Sequence, residues 1–148
     1  MSEILFYHLE SQPLERVLPV LVEKSLERGW KVVVETGSEE RAEALDNLLW
    51  TYRDDSFLPH ARAGGGEDAL QPVLITTLPH NPNGAQVRFF VDRAVPQSGE
   101  GYQRIVYMFS GHDPDAVNEA RAAWRALREG NEVTYWQQEP GGRWVKKG

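Results

Sequence analysis

The sequence predicts one α/β domain with a mostly parallel central sheet and flanking helices. Three observations carry that expectation. Strand-like and helix-like segments alternate from the first residues onward, an order that favours parallel strands joined by right-handed crossovers. The run Val32-Val33-Val34 has no polar face, as expected of a strand covered on both sides. At 148 residues, with no internal repeat or long linker, residues 1–148 read as one unit, since domains usually run to about 100–200 residues.

Each element has a local reason. Glu3 to Leu9 is rich in strand formers and ends before Gln12-Pro13. From Leu14 to Arg28, Leu14, Val17, Leu18, Leu21, Val22 and Leu26 recur at helical spacing, and Gly29 follows as a stop. Pro19 falls inside that helix and predicts a kink or a later start. Lys31 to Val34 is the short buried strand. Ser38 then caps a helix running to about Leu49, with Glu39 and Glu40 favourably placed in its first turn. Trp50 to Gln71 contains Asp54-Asp55, Pro59 and Gly64-Gly65-Gly66, and reads as a structured loop leading to a flexible turn. Strands follow at Val73 to Thr77, Gln86 to Asp92 and Arg104 to Phe109. The last helix spans Pro114 to Glu129, with Asp113 as N-cap, Pro114 at its first position and Gly130 beyond its end. Val133 to Gln137 closes the sheet, and residues 140–148 read as a frayed tail.

Composition narrows the function. Without cysteine, disulfide scaffolds, zinc-cysteine sites and thiol catalysis are excluded. Apolar runs fall far short of the roughly 20 residues of a membrane helix, and no apolar leader precedes the first strand, so a cytoplasmic protein with no membrane partner is expected. A net charge of -6 disfavours general binding to a phosphate backbone, so no direct nucleic acid contact is expected. Leu9-Glu10-Ser11-Gln12-Pro13 lacks the glycines of a dinucleotide loop, and no G-x-x-x-x-G-K-[ST] run occurs. His8, His60, His80 and His112 are scattered without metal-ligand spacing, and no G-x-S-x-G elbow surrounds Ser56 or Ser110. No catalytic residue, metal ligand or cofactor is assigned. The alternative is a nucleotide- or small-molecule-binding α/β protein, an enzyme included, with its site beyond the first two strands.

The final helix is chemically divided. At about 100° per residue, Ala116, Ala120, Ala123 and Leu127 share one side, a small-residue face suited to lying close on a sheet. Arg121, Arg125 and Arg128 form an exposed stripe, bordered by Val117 and Trp124, while Asp113, Asp115 and Glu119 occupy the N-terminal half. Complementing the helix dipole explains part of this polarity. Guanidinium groups beside an indole would also suit an acidic peptide ending in an apolar residue and a free carboxylate.

With those residues in view, the chain resembles the chi subunits of bacterial DNA polymerase III holoenzyme over nearly its whole length. The resemblance rests on Ala44-Leu45-Asp46-Asn47-Leu48-Leu49-Trp50 and on Ser56-Phe57-Leu58-Pro59-His60, which is similar to the family's S-F-[LV]-P-H motif. It implies a non-catalytic connector with a Rossmann-like three-layer α/β fold. One surface would bind the psi subunit, and through it the clamp loader; another would bind the acidic C-terminal tail of single-stranded DNA-binding protein. The family's basic, aromatic, basic pattern falls on Arg121, Trp124 and Arg125, with Arg128 extending it. The psi-facing residues would be Trp50, Phe57, Leu58, Pro59 and His60. The chain departs from the family in the Pro79 to Gly84 loop, the Glu67-Asp68 turn and the segment after Gly130, so no pocket residue is assigned from the closing strand.

Overall fold

In the computed structural model, which describes residues 3–51, 60–64, 66–96 and 101–147, the chain runs β1 (Glu3–Leu9), α1 (Leu14–Glu27), β2 (Val32–Glu35), α2 (Glu39–Thr51), β3 (Ala61–Arg62), β4 (Val73–Thr76), β5 (Val87–Phe90), β6 (Arg104–Ser110), α3 (Pro114–Leu127), β7 (Glu132–Gln138) and β8 (Trp144–Lys146). The strands form one sheet in the order β3-β4-β2-β5-β6-β1-β7-β8. All pairings are parallel except that of β8 with β7. The expected α/β architecture is therefore present.

Alternation along the strands separates two cores. Val32, Val34, Val73, Ile75, Val87, Phe89, Val106 and Met108 pack with the apolar faces of α1 and α2. On the opposite face Ile4, Phe6, Ile105, Tyr107 and Phe109 pack with Ala116, Ala120, Ala123 and Leu127 of α3. Their small side chains let the α3 backbone approach aromatic rings. Asp113 caps this helix, accepting hydrogen bonds from the N–H groups of Asp115 and Ala116 at 3.0 and 3.3 Å.

One region of the α3 face is covered without a helix. Arg88, in the middle of β5, points there with its side chain only 2% exposed. It donates to the Glu35 carboxylate, to the carbonyls of His80 and Leu78 at 2.7 and 2.6 Å, and to the Tyr102 hydroxyl at 3.0 Å. Buried charge is tolerated when its donors are satisfied. Here the guanidinium draws the segment after β4 over the sheet.

Several expectations change. Residues 144–146 form β8 instead of fraying, because the turn at Gly142, with φ of 89°, returns the chain to pair with β7. Pro19 lies inside a continuous α1 and is buried. The described part of the region expected to be loop contains β3 and a 3-10 turn, Asp68–Leu70. Strand β5 ends at Phe90, short of Asp92. Asp92 and Arg93 adopt positive φ values of 50° and 77°, which a strand cannot accommodate.

Candidate functional site: the exposed edge of α3

Arg121, Arg125 and Arg128 are all exposed. By contrast Arg41, Arg62, Arg88, Arg93 and Arg104 are each engaged by a carboxylate. Among the described residues, the three α3 arginines have no ion pair and no side-chain hydrogen bond. Arg128 lies at the C-cap, where its N–H reaches the Trp124 carbonyl at 3.1 Å. The Glu119 carboxylate, which could have neutralised the stripe, is instead bound by Arg93 through two contacts of 2.8 Å. Positive charge on this edge therefore remains open to a partner.

Trp124 is half-buried. Its ring meets Phe6 edge-on at 5.5 Å and Tyr135 edge-on at 5.7 Å. Tyr135, on β7 in register with Phe6, forms a second aromatic wall that the sequence reading did not assign. The alternation of Val133, Tyr135 and Gln137 on one face was the available signal.

Behind Tyr135 lies a polar chain. Its hydroxyl is 2.6 Å from His8 Nδ1, and His8 Nε2 faces a Glu10 carboxylate oxygen at 2.8 Å. Glu10 favours the proton on Nε2, so Nδ1 accepts from the tyrosine. The packing requires glycine at 111, since a Cβ there would stand 2.1 Å from His8 Nε2. Burial pushes the His8 pKa below its ordinary value, opposed by Glu10 and reinforced by the charges of Arg121 and His112. Burial pushes Tyr135 up, with Arg121 opposing it. The Arg121 charge thus acts on Tyr135, one of the two rings that brace Trp124, and on the His8 behind it.

A stability consequence follows from His8. Its folded pKa lies below the ordinary 6.5, so the unfolded chain binds a proton more readily. Stability is expected to fall as pH drops from 6.5 toward the folded pKa. His8→Gln should flatten that fall, measured as urea midpoints at several pH values; equal slopes for both proteins would contradict it.

The residues expected to face psi are only partly brought together. Trp50, near the end of α2, is 48% exposed. His60 is buried, with Nε2 3.0 Å from the Asp46 carbonyl and 3.1 Å from its carboxylate. The Trp50 and His60 rings lie 4.3 Å apart, so His60 supports Trp50 from beneath. Phe57, Leu58 and Pro59 lie outside the described residues.

The switch point of the sheet falls between β1 and β6, whose crossover helices pack on opposite faces, and a cavity of about 430 Å³ opens there. It is poorly suited to phosphate. The N–H groups of Glu10, Ser11 and Gln12, placed where such a fold holds an anion, converge at 3.4, 3.0 and 2.9 Å on Oε1 of Gln138. Gln138 is 1% exposed, and Glu10, Glu15, Asp92 and Asp113 line the opening. The chain's own amide fills the anion position, which disfavours the nucleotide alternative. No described helix is long and apolar enough to cross a membrane.

A family model described as "DNA polymerase III chi subunit, HolC" matches residues 1–134. The chain is 32% identical over 87 residues to the "Probable DNA polymerase III subunit chi" of Rickettsia prowazekii, covering 59% of this chain and 53% of that protein. It is 33% identical over 78 residues to the "DNA polymerase III subunit chi" of Pseudomonas aeruginosa, covering 51% and 54% respectively. The matched stretch spans about half the length of each of these relatives.

Proposed function

Because the chain belongs to the DNA polymerase III chi-subunit family, we propose that it is a non-catalytic replication adaptor, needing no cofactor, that binds the acidic tail of single-stranded DNA-binding protein and links it, through psi, to the clamp loader. The observation that carries this reading is the α3 edge. Three exposed arginines without carboxylate partners among the described residues flank a half-buried indole. Arg121 and Arg125 would bind the tail's carboxylates, and Trp124 with Tyr135 would receive its terminal apolar side chain. Arg128 would extend the basic stripe. Trp50, supported by His60, would contribute to the psi surface together with Phe57, Leu58 and Pro59.

The test is a calorimetric titration of an acidic tail peptide, with free and with amidated C-terminus. The free peptide is expected to bind saturably, more weakly as salt rises, and amidation should weaken it further. Absence of saturable binding at low salt would remove the tail assignment. Capture of psi by wild type but not by Trp50→Ala, with tail binding unchanged, is the expected result for the second surface.

A further inference from the structure

Taking the α3 edge as the tail site, we propose that His8 is a positioning residue of that site: protonated at Nδ1, it frees the Tyr135 hydroxyl proton for a tail carboxylate, so that tail binding strengthens as pH falls. Phe6 and His8 point to the α3 side of β1, and their partners in register on β7 are Tyr135 and Gln137. Tyr135 therefore stands between two rings that meet it edge-on, Trp124 at 5.7 Å and His8 at 5.9 Å. One hydrogen bond of 2.6 Å joins His8 Nδ1 to the Tyr135 hydroxyl, and through it a change at the imidazole reaches the aromatic wall of the site.

While Nδ1 is unprotonated, the Tyr135 hydroxyl donates to it. The phenolic oxygen then has only lone pairs left for its other neighbours, and these repel a carboxylate. A protonated Nδ1 no longer accepts. It donates to the tyrosine oxygen, and the hydroxyl hydrogen turns away from His8, where it can serve a carboxylate as donor. The imidazolium also adds its charge to that of Arg121, which already bears on both rings.

The ring is held in place for this role. Its side chain is 12% exposed, so neighbouring groups and not bulk water set its charge state. Glu10, from the end of β1, faces Nε2 at 2.8 Å. Phe109 of β6 lies 5.1 Å from the imidazole, ring to ring. After β6, Gly111 leaves the space that a Cβ would take from both His8 and the Glu10 carboxylate, and His112 sits with Nε2 2.6 Å from the Glu10 carbonyl. From β7, Gln137 donates to the Glu10 carboxylate at 3.3 Å. Glu10 favours the imidazolium, whereas Arg121 of α3 and the charge of His112 oppose it. A tail carboxylate bound at Arg121 removes part of that opposition. Tail binding then raises the proton affinity of His8, and by linkage the proton raises tail affinity by the same factor. Burial holds the His8 pKa below its ordinary 6.5, so the rise belongs to the pH range beneath that value. Protonation of the tail's own carboxylates, near pH ~4, would weaken binding and has the opposite sign.

Calorimetric titration of the tail peptide with a free C-terminus, at about pH 7.5 and about pH 5.5, tests the role. Wild-type affinity should rise by about fivefold toward the lower pH, the low end of ordinary coupling between two sites. His8→Gln should bind with nearly equal affinity at both, and His112→Gln, which removes the other nearby histidine, should keep the rise. In wild type, an NMR titration of the His8 ring protons should give a higher pKa with saturating peptide than without it, and needs no variant to fold. A wild-type affinity that does not rise, a rise retained in His8→Gln, or a His8 pKa that the peptide leaves unchanged would overturn the positioning role and leave tail binding standing. Absence of saturable binding at both pH values would remove the tail assignment and the role of His8 with it.

Discussion

Arg88→Ala is expected to destabilise the protein by about 3–5 kcal/mol, the cost typical of removing one partner from a buried ion pair. The Arg88 side chain is 2% exposed and that of Glu35 16%, so the surviving carboxylate would be poorly compensated by water. The Leu78 and His80 carbonyls and the Tyr102 hydroxyl would lose their donor as well. For a chain of this size the melting temperature should fall by roughly 6–20 °C. A double variant, Glu35→Ala with Arg88→Met, should be less destabilised than Arg88→Ala, because neither charge remains unpaired. A single variant within about 1 kcal/mol of wild type would show that Arg88 does not hold the segment after β4.

Arg125→Ala should have its main effect on binding. If Arg125 and a tail carboxylate form a desolvated pair, truncation costs about 2–5 kcal/mol, or roughly 30-fold to several thousandfold in affinity. Arg121→Ala belongs in the same range, since Arg121 is exposed on the same helix edge and has no carboxylate partner among the described residues. Arg128, at the helix C-cap, should lose less on truncation. None of the three has a carboxylate partner among the described residues, so stability should stay within about 0.5 kcal/mol of wild type. Unchanged tail affinity in Arg125→Ala would sink the site assignment, and a large drop in melting temperature would show that the arginine holds the fold.

The first prediction turns on charges that are far apart in sequence, and there the linear reading reached its limit. Helix α3 was legible residue by residue. Its cap, its buried alanines and its basic stripe follow from a 100° periodicity that depends only on neighbouring residues. The triple valine of β2 was equally clear. Arg88 was not, because nothing near it in sequence indicates that Glu35 and Tyr102 will surround it. Tyr135 escaped assignment for the same reason: its place beside Trp124 depends on β7 pairing with β1, more than a hundred residues away.

What the sequence by itself determined is therefore local: the order of elements, the helix faces, the absence of thiol chemistry and the family resemblance carried by short motifs. Tertiary structure decided which charges remain open. Pairing β7 with β1 placed Gln138 in the anion position of the β1–α1 turn, and Arg93 removed Glu119 from the reach of the α3 arginines. A chain of net charge -6 can present a basic edge because Coulomb attraction falls with distance through screening solvent, while the fold, and not the composition, sets those distances.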